Sequence, residues 1–216
     1  MTEIEFENND FSSVMLNRHS VRHFDKSCKI DRSVLTEMVK EATTAPSSCN
    51  LQAWHFVVVD TDEGKEKLRK IFMPFNHPQL DTCSAMVVLF GDTDAFKKYR
   101  DLWQGMYEEK KITKERLETI LGTFLPIYEK ADRTLLTADA MVDASLAAMQ
   151  FMLDARARGF ATNPIAGYDA TKMALAMGLD PVRYVPVMAI AIGKPDESKQ
   201  ELVSTRYDVK DVLEFR

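Results

Sequence analysis

The chain has 216 residues, of which 45% are hydrophobic and 28% charged, and its formal net charge is −5. This length supports one sizeable core, and the composition is ordinary for a water-soluble globular protein. The acidic balance argues against a nucleic-acid-binding protein, which usually carries a basic surface, and no apolar run approaches the roughly 20 residues that span a bilayer.

The three cysteines, Cys28, Cys49 and Cys83, are odd in number and widely spaced. They predict neither a disulfide framework nor a Cys-x-x-Cys metal site, and the acidic residues 1–10 are unlike a signal peptide. We therefore expect a cytoplasmic protein without a bound metal. An unmatched cysteine is usually a small buried hydrophobe, which makes Cys49 a poor candidate nucleophile.

Two helices are predicted before the first strand. Asp10 is placed to cap a helix that ends near Arg18, and Asp31 is placed to cap a second helix. The second helix is expected to end shortly before Pro46. A third helix is predicted to start at Asp62.

Four short apolar runs predict buried strands, at residues 55–59, 86–90, 160–163 and 184–192. Residues 94–128 have a helical pattern that is broken near residues 112–113. Residues 134–158 predict the longest helix, whose many small side chains allow another helix to approach closely. These elements predict a single α+β or α/β domain over residues 1–216, with a small sheet.

The C-terminal tail, residues 194–216, is polar and then ends in Val209, Val212, Leu213 and Phe215. A tail by itself cannot bury such side chains. We therefore expect it to dock on a partner subunit.

Several common catalytic and nucleotide-binding motifs are absent from the sequence. It contains no Gly-x-Gly-x-x-Gly after a strand, no Walker loop and no His-Glu-x-x-His. Ser47 and Ser48 are not in a Gly-x-Ser-x-Gly elbow. A Rossmann dinucleotide site and these hydrolase classes are therefore not predicted.

Residues 18–22, Arg-His-Ser-Val-Arg, place two guanidinium groups beside a serine and a histidine. This composition can neutralise a phosphate and hydrogen-bond its oxygens. A solvated basic turn that pairs with acidic side chains explains the composition equally well.

Two further segments also have two interpretations. Residues 45–54, Ala-Pro-Ser-Ser-Cys-Asn-Leu-Gln-Ala-Trp, suit either the joint before a strand or the edge of a flat polar ligand. Residues 164–167, Pro-Ile-Ala-Gly, are either a plain strand-to-helix turn or a backbone edge close to such a ligand. Asn76 and Gln79 are expected in a polar loop, where solvation is the default.

Together, the segments 18–22, 45–56 and 159–169 occur in an order that resembles the nitroreductase family of FMN-dependent oxidoreductases, specifically its oxygen-insensitive NAD(P)H nitroreductase group. The resemblance runs from about residue 12 to residue 206. It implies an α+β fold with a small central, mostly antiparallel sheet flanked by helices and a long central helix at a homodimer interface. It also implies FMN bound between the subunits, with NADH or NADPH as the electron donor.

The resemblance further implies which residues bind FMN. The phosphate and the ribityl chain would be held by Arg18, His19, Ser20, Arg22 and Arg206. The isoalloxazine ring would be approached by Pro46, Ser47, Ser48 and Asn50 of the other subunit, by Asn76 and Gln79 at its polar edge, and by Pro164, Ile165, Ala166 and Gly167 near N5.

The sequence departs from the family pattern in a few places. Many relatives carry an acidic residue at the position of Ala166 and a lysine at the position of Gln79, and a basic position near Ser204 is lost. Without that lysine, stabilisation of the anionic reduced flavin would fall to Arg22 or to backbone dipoles.

The implied reaction is ping-pong. NAD(P)H reduces the flavin and leaves, and a nitroaromatic, quinone or related acceptor is then reduced at the same face. No acid or base side chain is assigned, because solvent can supply the proton. Phe124 is a candidate for the substrate pocket, although core packing explains it equally well.

Two alternatives remain open. One is a different flavin reaction on the same fold, such as reductive dehalogenation or flavin fragmentation. The other is a non-catalytic flavin-binding or redox-sensing protein, which would react slowly with NAD(P)H.

Overall fold

The structure is a computed structural model that describes residues 6–202 and 204–216. Its centre is a four-stranded sheet in the order β1-β2-β4-β3. The strands are β1 (Trp54–Val59), β2 (Ala85–Asp92), β3 (Ala161–Ile165) and β4 (Tyr184–Gly193). Every neighbouring pair is antiparallel. The four predicted strands are therefore confirmed, and so is the α+β class.

Helices cover both faces of this sheet. They are α1 (Phe11–Asn17), α2 (Arg32–Ala42), α3 (Asp62–Arg69), α4 (His77–Thr82), α5 (Tyr99–Glu108), α6 (Lys114–Thr123), α7 (Leu125–Glu129), α8 (Arg133–Ala157) and α9 (Ala170–Ala176). Short 3-10 turns cover Ser48–Asn50, Pro74–Asn76, Ala95–Lys98 and Val209–Asp211. In the described ranges, no helix combines the length and apolar character needed to cross a bilayer.

The two faces of the sheet form two separate cores because side chains alternate along each strand. On β2, Met86, Val88 and Phe90 join one core, which also contains side chains of α3, α4 and α9. Val87 and Leu89 point to the opposite core, which contains side chains of α2 and α8. This strand is fully buried, as its unbroken apolar run predicts.

A third cluster lies beside the sheet. Tyr99, Leu125 and Tyr128, from α5 and α7, pack with Leu51 and Ala53. The segment that precedes β1 is thereby covered by the helices of residues 99–129.

Strand β3 is longer than predicted, because it continues through Pro164 and Ile165. Pro164 lies opposite Ile190 of β4. Since β3 is at the edge of the sheet, the missing N–H of proline removes no bond to a second neighbour. Half of the predicted turn at residues 164–167 is therefore strand.

The helical region 94–128 is broken twice, whereas the sequence predicted one break. The first break lies between α5 and α6, as predicted. The second separates α6 from α7 at Phe124, two residues before Pro126. A proline in the first turn of a new helix loses no hydrogen bond, whereas inside a continuous helix it would.

The small side chains of α8 face the interior of the chain, where α8 packs on the sheet and on α2. Ala140, Ala144, Ala147 and Ala148 are completely buried within the chain. At Gly91 of β2, an added Cβ would lie 2.9 Å from the Cβ of Ala140, so helix and sheet are in direct contact. The solvent-facing side of α8 carries larger apolar side chains: Leu135, Met141, Val142, Leu146 and Met149.

Candidate functional site

The basic segment lies against the edge strand β3. Ser20 forms a parallel bridge with Thr162, and the Val21 N–H donates to the Thr162 carbonyl at 3.1 Å. The Asn163 side-chain amide donates to the Val21 carbonyl, also at 3.1 Å. These contacts fix residues 18–22 beside the start of the 164–167 segment.

The two arginines of this segment have different surroundings. The Arg22 guanidinium donates to the Phe75 carbonyl, while its backbone N–H donates to the Glu201 carboxylate at 2.9 Å. The Nη1 atom of Arg18 is buried and has no hydrogen-bond partner among the described residues. Leaving such a donor unsatisfied is costly, so an acceptor from outside this chain would stabilise it.

Asn76 connects the next segment to the turn after β3. It is buried, and its side-chain amide donates to the Gly167 carbonyl at 2.9 Å. The Met73 N–H donates to the same oxygen at 3.0 Å. An added Cβ at Gly167 would lie 2.3 Å from the Asn76 amide nitrogen, so a larger residue there would displace that amide.

Gln79 in α4 is only 1% exposed, and its side-chain oxygen has no hydrogen-bond partner among the described residues. The prediction that Asn76 and Gln79 are solvated loop residues is therefore wrong. Both amides lie inside the fold, and the Asn76 amide reaches the Gly167 carbonyl. We refer to Arg18, Arg22, Asn76, Gln79 and residues 164–167 as the basic–amide site.

The serine-rich segment is held by an acidic residue that the sequence analysis missed. Asp143 of α8 is completely buried and accepts from the Ser48 N–H at 2.8 Å and from the Ala53 N–H at 3.2 Å. Burial raises the pKa of this carboxyl group, and the bonds from Ser48 and Ala53 oppose that shift. The only signal in the sequence was that Asp143 is one of two carboxylates, with Asp139, within the alanine-rich stretch of α8.

The backbone of this segment turns tightly. Cys49, Asn50 and Gln52 have φ values of 50°, 64° and 53°, which lie in the left-handed region that non-glycine residues seldom adopt. The Ser47 hydroxyl accepts from the Gln52 N–H at 3.1 Å and stabilises the turn.

The environment of the cysteines differs from the prediction. Cys49, in the left-handed turn, is exposed rather than buried. Cys83 is the buried thiol, and burial raises its pKa to about 11.

Not all predicted site residues come together in one chain. Among the described residues, no hydrogen bond joins the 46–50 segment to the basic–amide site. Within the described part of the chain, the Arg206 guanidinium donates hydrogen bonds only to its neighbours Ser204 and Thr205. His19 and Ser20 are exposed on the basic segment, as Pro46 is on its own segment.

Comparison with known proteins identifies the class. The model of the nitroreductase family matches residues 15–194. The chain therefore belongs to the nitroreductase family, and it is an oxidoreductase.

Two relatives and a solved structure illustrate the similarity. The CLA biosynthesis enone reductase of Lactiplantibacillus plantarum is 54% identical, over 96% of this chain and 95% of that protein. YdgI of Bacillus subtilis (strain 168), provisionally named an NAD(P)H nitroreductase, is 37% identical over 96% of this chain and 98% of its own. A provisionally named nitroreductase of Exiguobacterium sibiricum, solved in complex with FMN, superposes with a TM-score of 0.91 at 34% identity, covering 98% of this chain and all of that one.

Proposed function

We propose that this chain binds FMN at a site shared by two copies and uses NADH or NADPH to reduce organic acceptors by a ping-pong mechanism. The observation that carries the proposal is a pair of buried polar atoms, Arg18 Nη1 and Gln79 Oε1, without partners among the described residues. One is a cationic donor and the other an amide acceptor, which matches a ligand with an anionic end and a donor-bearing ring.

The basic end of the site fits a phosphate. Arg18 and Arg22 supply two guanidinium groups, and Ser20 supplies an exposed hydroxyl two residues from each. The backbone hydrogen bond from Val21 to Thr162 positions this segment and does not occupy the side chains of Arg18, Ser20 or Arg22. Such a preorganised site binds an anion with little loss of side-chain entropy.

The amide end of the site fits a flat heterocycle. The amides of Asn76 and Gln79 are buried, so their hydrogen-bonding directions are fixed. Ala166 has a short side chain and Gly167 has none, so a flat ligand could approach the backbone at these two residues. Bound FMN would supply the hydride chemistry, and these residues would orient the ring and hold its polar edge.

The homodimer part of the proposal is supported by exposed apolar surface. On α8, Val142, Leu146 and Met149 are 55%, 42% and 38% exposed. A groove of about 740 Å³ borders Leu146 and Met149 and reaches Pro46. A second copy seated here would cover the apolar side chains next to the serine-rich segment.

The C-terminal tail supports the same arrangement. Tyr207, Val212 and Phe215 are 87%, 74% and 90% exposed. The hydrogen bonds of described residues 204–216 stay within the tail. Within the described residues of one chain, Arg206 forms no hydrogen bond to the basic–amide site. A tail that extends over a partner would bring Arg206 of one copy to the site of the other copy.

The acceptor class has two candidates. Nitroaromatics and quinones are typical of the family. An enone is the second candidate, because a relative that is 54% identical is named an enone reductase.

FMN binding can be measured by titrating apo-protein with FMN and following flavin fluorescence. We expect saturation at one FMN per chain, and we expect Arg18→Met to weaken binding at least about tenfold, since a charge-assisted phosphate contact contributes about 1.5–3 kcal/mol. Arg32→Met is the matched control, because Arg32 is exposed and pairs with Asp60. Failure of the wild-type protein to bind FMN would overturn the proposal.

A further inference from the structure

The carboxylate of Glu201 lies against the backbone at the end of the basic segment. Its Oε1 atom accepts from the Arg22 N–H at 2.9 Å and from the His23 N–H at 3.1 Å. The Glu201 side chain is only 17% exposed, although the residue belongs to the polar stretch that follows β4. One anionic oxygen therefore serves two successive backbone donors, and charge-assisted bonds of this kind are roughly twice as strong as bonds between neutral groups.

These two bonds complete the fixation of the backbone around the basic segment. On one side, the Val21 N–H and carbonyl are bound to Thr162 and Asn163 of β3. On the other side, the Phe24 N–H donates to the Thr82 hydroxyl at 3.1 Å. Between these contacts, the N–H groups of residues 22 and 23 depend on Glu201. Without its carboxylate, the segment would be looser, and a ligand would have to order it at a cost in entropy.

The same carboxylate leaves the cationic side chains of the segment free. In the described ranges, Glu201 forms no ion pair with Arg18 or Arg22, and its one ionic contact is with His23 Nδ1 at 3.5 Å. The Nη1 atom of Arg18 remains buried without a partner among those residues. An acid that binds the backbone of an arginine-containing segment orders it without neutralising its guanidinium groups.

From this arrangement we infer that Glu201 is a positioning residue for the FMN phosphate. It holds residues 22 and 23 so that Arg18, Ser20 and Arg22 are presented to the phosphate in one arrangement. It acts through the backbone and does not itself contact the phosphate. This inference rests on the proposed function, because it requires the basic segment to bind FMN.

The charge of Glu201 and its hydrogen bonds predict opposite effects on binding. A negative charge near the segment repels a phosphate, so removal of the charge alone would tighten FMN binding. Removal of the backbone contacts would weaken it. Glutamine separates the two effects, because its side-chain oxygen can accept from both N–H groups and carries no charge.

The experiment titrates apo-protein with FMN and, in parallel, with riboflavin, which has the ring and the ribityl chain but no phosphate. Flavin fluorescence reports binding. For Glu201→Ala we expect FMN affinity to fall at least about tenfold and riboflavin affinity to stay within about twofold of wild type. Glu201→Gln should bind FMN within about twofold of wild type, or more tightly. Glu197→Ala, at an exposed carboxylate of the same stretch, should match wild type with both flavins.

A second readout involves no flavin. Hydrogen exchange of the apo-protein, measured on the peptide that contains residues 22 and 23, reports how readily these N–H groups open. We expect Glu201→Ala to exchange there at least about tenfold faster than wild type, since a tenfold change corresponds to about 1.4 kcal/mol. Glu201→Gln should exchange more slowly than Glu201→Ala. A peptide from the fully buried strand β2 should be unchanged in both variants.

A double-mutant cycle shows whether Glu201 acts through the cations of the segment. In the Arg18→Met background one phosphate contact is already lost. Glu201→Ala should therefore reduce FMN affinity by a factor at least about twofold smaller there than in the wild-type background. Fully additive losses would contradict a role that acts through Arg18.

Three results would overturn the inference. Tighter FMN binding by Glu201→Ala would mean that the carboxylate occupies the place of the phosphate. An equal loss of FMN and riboflavin affinity would indicate general destabilisation. Unchanged exchange of residues 22 and 23 would show that the carboxylate does not fix them. If the wild-type protein binds neither flavin, the proposed function itself fails, whereas wild-type FMN binding with an unaffected Glu201→Ala variant refutes this inference alone.

Discussion

At the scale of single residues, the basic–amide site depends on one carbonyl oxygen. The Gly167 oxygen accepts from the Asn76 amide at 2.9 Å and from the Met73 N–H at 3.0 Å. Two donors on one acceptor hold the turn after β3 against the 3-10 segment at Pro74. This contact orients the amide end of the site.

Gly167→Ala tests this contact. The added Cβ would collide with the Asn76 amide, so the amide must move and the turn must open. We expect FMN affinity to fall about tenfold, which corresponds to about 1.4 kcal/mol. Gly105→Ala is the control, because an added Cβ there meets no atom within 4 Å; equal affinities of the two variants would contradict this account.

Residue-level prediction from sequence was uneven for physical reasons. Arg18, Ser20 and Arg22 suggested a phosphate site only in combination with the other two segments, because a solvated basic turn explains their composition equally well. The buried amides of Asn76 and Gln79 gave no such signal, because a polar residue in a short helical turn is usually solvated. Asp143 was missed because its partners are backbone N–H groups about 90 residues earlier in the chain.

At the scale of elements, the packing of α8 on the sheet is the central contact. Gly91 of β2 faces Ala140 so closely that an added Cβ would lie 3.0 Å from the Ala140 backbone carbon. The helix backbone cannot give way as a flexible side chain can.

Gly91→Ala should therefore destabilise the fold by about 1–3 kcal/mol, the usual cost of overpacking a core. Urea unfolding followed by circular dichroism would measure this. Gly105→Ala should instead be neutral or slightly stabilising, since alanine favours the helix by about 1 kcal/mol relative to glycine. A Gly91→Ala variant as stable as wild type would show that α8 can shift away from the sheet.

A charged cluster joins α2 to α8. The Arg158 guanidinium donates to the Asp154 carboxylate at 3.0 Å and to the Glu41 carboxylate at 2.7 Å. Burial raises the pKa of Asp154 to about 7, and its hydrogen-bonded contact with Glu41 adds to the shift. The folded state thus holds a proton that the unfolded chain releases near pH 4.

This cluster predicts a pH dependence of stability. Because the folded state binds the Asp154 proton more tightly, its contribution is fully present below about pH 4 and is lost as the pH rises through about 7. Relative to Asp154→Asn, the wild-type free energy of unfolding should fall by on the order of 1–2 kcal/mol between pH 5 and pH 8. A difference between the two proteins that stays constant over this range would contradict the shift.

The elements themselves were largely predictable. The apolar runs indicated all four strands, because the side chains of each strand are buried in the cores on one or both faces of the sheet. The ends were less certain: β3 continues through Pro164 because an edge strand tolerates proline. The second helix break, at Phe124, was indicated only by Pro126.

At the scale of the whole molecule, the proposed site is incomplete in one chain. The basic–amide site and the serine-rich segment are built on different elements, and Arg206 lies in a tail without hydrogen bonds to the body of the described chain. Sequence patterns predict elements well, but they do not give the surface on which two copies meet. The buried alanines of α8 illustrate this limit, because they pack on the sheet and on α2 within one chain.

A monomeric variant would test whether two copies share the site. Val142→Glu together with Leu146→Glu places charges on the exposed apolar face of α8, and should shift the mass in light scattering from twice 24.6 kDa to 24.6 kDa. We expect this variant to lose FMN although every proposed contact residue is intact. Leu175→Glu, at an exposed leucine of α9, should stay dimeric and yellow; a monomer that retains FMN would contradict the shared site.

The most direct test of the central claim is a stopped-flow record of the FMN-loaded protein under anaerobic conditions. On addition of NADH or NADPH, the visible flavin absorbance should bleach at a rate that saturates with donor concentration. Subsequent addition of p-benzoquinone, or of 2-cyclohexenone, should restore it, with one acceptor reduced per flavin. An FMN-loaded protein whose absorbance is unchanged by both nicotinamides, or that stays bleached with every acceptor, would contradict an NAD(P)H-dependent oxidoreductase.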